Sequence, residues 1–249
     1  MSVEDGSGSV WLEELTWVEA EEVLRRYGVV MIPLGARTKE HGPHLPLNND
    51  WIMAEYMARR VAEQVPVVVM PTLQYGYYPS FLEYPGSVSI GLETFKEFVK
   101  DICRSLAGYG VSKFYVLNTG VSTVRGLRPA SEELRELGIE MRFTDILVSG
   151  ARVEEEISEQ EGGTHADEME TSMMLYIKPE IVDMDRAVKE YDPTDAPGLT
   201  RNPTRRGEAK FSASGVYGDA TLATVEKGRL AVEARVRHIV DELRAFIDE

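Results

Sequence analysis

Apolar positions along this chain follow two periods. Val29–Leu34 and Val67–Leu73 are near-continuous apolar runs, and Lys113–Leu117 and Ile139–Ile146 are two more of similar length. Short unbroken runs of this kind are what strands of a parallel sheet show when both faces are covered. Between them the period changes to that of a helix. Trp17–Tyr27 carries Val18, Val23 and Leu24, with Thr16 as N-cap and Gly28 as terminator. Trp51–Val65, Leu92–Leu106 and Arg125–Leu137 (ended by Gly138) follow, and Val225–Ile247 closes the chain with Leu230, Val232, Val236, Val240, Leu243 and Phe246. Val153–Gln160 and Thr164–Ile177 read as acidic helical stretches, the second carrying Met169, Met173 and Met174 as core filler. Strands alternating with helices predict a three-layer α/β/α sandwich with a mainly parallel sheet. No repeat or linker divides the chain, so residues 1–249 are expected to form one domain. Residues 1–10 are expected to be flexible. The Pro-punctuated stretch 183–210 reads as an irregular excursion or subunit-contact arm.

Composition narrows the class. The 249 residues are 43% hydrophobic and 28% charged, as in an ordinary globular protein. A net charge of −15 argues against nucleic acid and against anionic membrane surfaces. No apolar run approaches the roughly 20 residues that cross a bilayer. The single cysteine, Cys103, can form no intramolecular disulfide and reads as a buried thiol. Met1–Ser9 is acidic and Gly/Ser-rich, unlike a signal peptide, so a cytoplasmic location is expected.

Polar chemistry concentrates in three loops. The first, Met31–Asp50, opens as a strand, turns polar at Gly35 and holds His41 and His44 before a helix begins. Asp50 there is either a site residue or simply the helix N-cap. The second is Asn118–Thr123, after the third strand. The third is Gly162–Glu170, with His165 among several carboxylates. Loops at the carboxyl ends of parallel strands share one edge of the sheet and can meet there. His165 beside carboxylates suits a general base, a metal ligand or a helix-start cap. On a helix His165 shares a face with Glu168, while Glu170 is rotated away, so His165 and Glu170 converge only if His165 precedes the helix. The aromatic loop Gln74–Gly91, with Tyr78, suits a pocket wall or a subunit interface. His238, among charged residues of the last helix, reads as solvated.

These segments carry a resemblance. His41-Gly42-Pro43-His44-Leu45-Pro46-Leu47 with Asp50 resembles the signature loop of the creatininase (creatinine amidohydrolase) family. His165-Ala166 with Glu170-Thr171-Ser172, and Gly215-Val216-Tyr217-Gly218-Asp219 with Glu226-Lys227-Gly228, resemble later segments of that family in the same order. The likeness runs from about Trp17 to Leu243. It implies a creatininase-like α/β fold, a two-metal hydrolase acting on small cyclic amides and related bonds, and ring-like hexamers.

The resemblance transfers only part of the site. His41 and Asp50 stand where the family places metal ligands. A third ligand, a Glu in the family, is Lys39 here, with Glu40 one residue off; in an extended segment one residue reverses the side-chain direction. Gly120 and Ser122 stand where the family has a His and a Glu, and Thr164 replaces the acid before the catalytic His, which corresponds to His165. Val121 and Gly162 replace contacts to creatinine, which argues against creatinine as substrate. The site expected from the resemblance therefore has His165 and Glu170 as proton-transfer and orienting groups. Lys39 neutralises Asp50 or polarises a carbonyl; His44, Ser122 and Tyr78 face the substrate. His41 and Asp50 hold one divalent ion (Zn, Mn or Fe) with Glu40 or Glu168 completing the shell, or no metal at all. The implied activity is hydrolysis of a small cyclic amide or related polar C–N or C–O bond in a homo-oligomer. The alternative is a catalytically silent binding or assembly protein on the same scaffold.

Overall fold

The structure is a computed structural model that describes residues 8–249. Five parallel strands form the main sheet: β1 (Val10–Trp11), β2 (Val30–Leu34), β3 (Val68–Val69), β4 (Lys113–Asn118) and β5 (Glu140–Phe143), in the order β1-β3-β2-β4-β5. Strand pairing is in register from Val30 opposite Phe114 to Leu34 opposite Asn118, which brings the ends of β2 and β4 together.

Side-chain alternation sorts the strands onto two layers. Val29, Met31, Val67, Val69, Tyr115 and Leu117 face α2 (Asn49–Ala62), α6 (Glu168–Ile177) and α7 (Val225–Asp248). Val30, Ile32, Leu34, Val68, Phe114 and Val116 face α1 (Trp17–Arg26), α3 (Leu92–Ala107) and α4 (Val124–Arg135). α5 (Ala151–Ile157) is a short helix beside α7. This is the three-layer α/β sandwich expected. Cys103 is fully buried in the second layer. α6 and α7 cross closely at Gly228, where a β-carbon would run into the backbone carbonyl of Ser172. Thr16 caps α1 in a capping box with Glu19.

Several boundaries differ from the sequence pattern, each for a physical reason. Val10–Trp11 pairs with β3, and the Ser9 hydroxyl donates to the carbonyls of Ala62 and Val65 at 2.7 and 2.9 Å, so residues 9 and 10 are tied down. The rest of the segment expected to be flexible, residues 1–7, lies outside the described residues. Pro71 interrupts the second apolar run, leaving β3 two residues long; Leu73 rejoins Leu34 through an isolated bridge. α2 starts at Asn49, so Asp50 sits inside the first turn and is not the cap. α6 starts at Glu168, capped by Asp167, whose carboxylate accepts from the amides of Met169 and Glu170 at 3.0 and 3.1 Å. His165 therefore precedes the helix. The 183–210 excursion folds back on the body. Within it β6 (Lys189–Glu190) pairs antiparallel with β9 (Gly218–Asp219), and β7 (Leu199–Thr200) pairs parallel with β8 (Lys210–Phe211).

Candidate active site

The first loop leaves the end of β2 and alternates its side chains, as an extended segment must. Lys39 and His41 point one way and reach Asp50. The Lys39 Nζ lies 2.6 Å from Asp50 Oδ2, and His41 Nε2 lies 2.7 Å from Asp50 Oδ1. Glu40 points the other way. One of its oxygens accepts from the Gly42 amide at 2.5 Å, and the other lies 3.2 Å from His165 Nε2. Gly215, at φ +92°, makes room for it, because a β-carbon there would collide with the Glu40 carboxylate.

Burial makes these contacts strong. Lys39, His41 and Asp50 are 5%, 0% and 1% exposed. Burial alone would push the Lys39 ammonium pKa down, but Asp50, Glu170 and Glu40 together hold it above the ordinary lysine value. Burial likewise opposes ionisation of Asp50, and Lys39 and His41 overcome it, holding the carboxyl well below the usual range. The two partners thus agree: a charged, buried pair.

The third loop supplies the other half. Ala166 takes a left-handed turn (φ +48°), unusual for a residue with a β-carbon. That turn lets the Ala166 amide donate to Glu170 Oε2 at 2.5 Å, while His165 Nδ1 sits 3.5 Å from the same oxygen. His165 lies between two carboxylates, Glu40 and Glu170. Burial pushes its pKa down, yet Glu40 and Glu170 outweigh burial and raise it above 6.5. Its ring stacks 4.4 Å from Phe81 and 5.0 Å from His41. The condition set by helical geometry, that His165 precede α6, is met.

Lys39, His165 and Glu170 line a cavity of about 330 Å³, together with Tyr78, Phe81 and Ser122. Tyr78 is 2% exposed, and its hydroxyl has no partner among the described residues. A β-carbon at Gly120 would lie 3.2 Å from the Tyr78 ring, so the aromatic side chain fills space that a larger residue at 120 would need. Ser122 lines the cavity while donating to the Tyr77 carbonyl at 2.6 Å.

Two candidates stand elsewhere. His44 does not line the cavity: its Nε2 meets the Thr171 hydroxyl at 2.8 Å, and burial with neighbouring His41 depresses its pKa to about 4. It acts as a neutral strut between the first loop and α6. Glu168 is fully buried, but it accepts from Lys227 at 2.5 Å and from the amides of Glu159 and Gln160. Those partners fasten α5's exit and α7 to α6, and they remove Glu168 from the metal candidates. Phe81, Arg125 and Lys210 line the cavity without having been singled out. Phe81 belongs to the aromatic loop, a visible signal; Lys210 lies at the end of the excursion, where no periodicity marks it.

A metal can be tested against this geometry. His41 Nδ1–H donates to the Lys39 carbonyl at 2.9 Å, so Nε2, hydrogen-bonded to Asp50 Oδ1 at 2.7 Å, is the nitrogen that would ligate an ion in exchange for that hydrogen bond. His41, His165 and Glu170 each offer a ligand atom within 4.8 Å of the others. One ion fits this set, with Asp50 beside it. A second ion on the far oxygen of Asp50 does not fit, because the Lys39 ammonium is already there.

The family model described as Creatininase, creatinine amidohydrolase, matches residues 13–243. The chain belongs to the creatininase family. A creatinine amidohydrolase of Pseudomonas putida is 33% identical over 96% of this chain and 97% of its own. A mycofactocin precursor peptide peptidase of Mycobacterium ulcerans is 30% identical over 88% of this chain and 85% of its own. A solved structure described as creatininase Mn superposes with a TM-score of 0.81 at 32% identity, covering 97% of this chain and 100% of that one. In this family member His165 and Glu170 line the cavity, and the buried His41–Asp50 pair lies behind them.

Proposed function

We propose that this protein hydrolyses a C–N bond of a small amide or cyclic amide, using at most one divalent ion. The observation that carries the reading is the convergence of Lys39, His165 and Glu170 on one cavity, backed by the buried His41–Asp50 pair. The names of its relatives, an amidohydrolase and a peptidase, support C–N hydrolysis as the reaction type. A cavity of about 330 Å³ is at the small end of ligand sites, which favours a compact substrate.

Where an ion is bound, His41, Asp50, His165 or Glu170 would hold it, and it would supply Lewis acidity toward water or a carbonyl oxygen. The rest is the work of the chain. Glu40 and Glu170 favour a proton on His165, so His165 is a stronger base than a free imidazole; it takes a proton during attack and returns it to the leaving nitrogen. Glu170 is held by the Ala166 amide, which fixes it relative to His165. Lys39 presents positive charge at the cavity wall, 4.8 Å from the Phe81 ring, where it would stabilise a developing oxyanion.

The test is turnover of a panel of lactams, hydantoins and N-acyl amides by the purified protein, with His165→Asn as the control. Loss of about 10²–10⁴-fold in the variant would match a general-base role. A parent without turnover of any panel member, at any metal loading, would favour the silent binding protein instead.

A further inference from the structure

The cavity wall carries charge that the hydrolytic machinery does not use. Arg125, which is exposed, and Lys210, which is half-buried, both line it, and among the described residues neither makes an ion pair with a carboxylate. The Lys210 ammonium rests 5.3 Å over the Tyr217 ring, a cation–π contact that leaves it without an acid. Arg125 lies in the first turn of α4, whose positive end faces the same wall at Val121 and Ser122. The one acidic residue on that wall is Glu170, which is already engaged by the Ala166 amide and His165. Lys39, the third cation, is balanced by Asp50. The Tyr78 ring lines the same wall, while its hydroxyl is buried against Gly76 away from the cavity. In a chain of net charge −15, a cavity lined by two cations without a carboxylate partner suits an anion.

We infer that the substrate is a small amide bearing an anionic group, a carboxylate or a phosphate, which Arg125 and Lys210 seat while the amide faces His165 and Glu170. This rests on the hydrolase reading for the orientation of the amide, but not for the anion site itself. Arg125 comes from the first turn of α4, just past the loop after β4, and Lys210 from the returning excursion, so anion binding would tie the excursion to the sheet edge.

Binding can be read apart from turnover. Titration calorimetry would compare dihydrouracil with dihydroorotate, the same ring without and with a carboxylate, and inorganic phosphate alone, on the parent and on Arg125→Gln, Lys210→Met and the double variant. Thermal unfolding confirms that each variant is folded. Dihydroorotate should bind the parent at least ~10-fold more tightly than dihydrouracil, each single change should lose about that factor, and the double variant should treat both rings alike. Phosphate binding to the parent, lost in the double variant and stronger than dihydroorotate binding, would assign the anion as phosphate. Equal affinity for the two rings without phosphate binding overturns the inference, as does binding of no probe at all. Binding that depends on both cations without hydrolysis of either ring would sink the hydrolase reading for these rings and leave the anion site standing. Hydrolysis of both rings with equal kcat/KM, unaffected by the variants, would do the reverse.

Discussion

Replacing Lys39 by methionine removes one charge from a buried pair while keeping most of the side-chain volume. Asp50 would then keep His41 at 2.7 Å but lose the ammonium at 2.6 Å. Breaking a buried ion pair by deleting one partner costs on the order of 3–5 kcal/mol, because the survivor stays buried and charged. The retained His41 contact places this case at about 3. For a chain of this length each kcal/mol moves Tm by roughly 2–4 °C, so the variant should melt about 6–12 °C below the parent. The pH dependence has a definite sign. Asp50 has a depressed folded pKa, so its contribution is present above the unfolded value near 4 and is lost as pH falls toward the folded value. The gap between parent and variant should therefore be widest near neutral pH and shrink in acid. The variant also opens the far oxygen of Asp50, so added Zn or Mn should raise its Tm more than the parent's, by mass action on the folded state. Scanning calorimetry of both proteins from about pH 2 to about pH 8, with and without metal, reads all three effects, because the carboxylate contribution is lost only below about pH 4. If Lys39→Met melts with the parent at neutral pH, Lys39 does not neutralise Asp50 and the geometry at the centre of the site is misread.

Elemental analysis after dialysis should find no more than one tightly bound divalent ion per chain; two would mean Lys39 can be displaced from Asp50. The acid limb of kcat/KM should have its midpoint above 6.5, since His165 must lose a proton to act as base, and Glu170→Gln should move it to lower pH by removing one of the carboxylates that raise it. Gly228→Ala should destabilise by about 2–3 kcal/mol or more, the range of overpacked cores, because its β-carbon would strike the Ser172 carbonyl where α6 crosses α7; denaturant unfolding measures it. Light scattering at micromolar concentration should show a homo-oligomer, and a monomer would leave the family resemblance as the sole, failed ground for assembly.

Most of the layering was legible because burial on both faces leaves an unmistakable pattern. The runs around Val30, Phe114 and Met141 became strands, and the Val23, Phe95 and Leu127 stripes became the helices that cover them. What escaped was short or interrupted. Val10–Trp11 is too brief to show a period, and Pro71 cuts a run whose composition is that of a strand. The excursion has no period because its two short strands, β6 and β7, pair with strands at or beyond its end, β9 and β8, rather than repeat within it. The direction of Glu40 followed from alternation alone: Lys39 and His41 went to Asp50 and Glu40 went to His165. His44 and Glu168 could not be placed that way. Whether a polar residue faces a cavity or a neighbouring helix depends on partners such as Thr171 and Lys227, which lie far along the chain.

Lys39 has a consequence for the charge of the whole cluster around Asp50. Around Asp50 and His165 the buried groups are one ammonium and three carboxylates, Asp50, Glu40 and Glu170, with two imidazoles between them. With both imidazoles neutral the cluster would hold two excess negative charges in a nearly dry site, which burial penalises heavily. Two arrangements cancel them: both imidazoles protonated, or one divalent cation. His41 has acceptors at both ring nitrogens, and His165 has carboxylates on both sides, so the geometry accepts either. A carboxylate at position 39 would add a further negative charge and remove a positive one, and the same balance would then call for a second divalent ion. By charge balance the lysine lowers the number of cations the cluster calls for. With it in place, one ion or two protons suffice, and the two states are linked: each metal bound must release the protons it replaces.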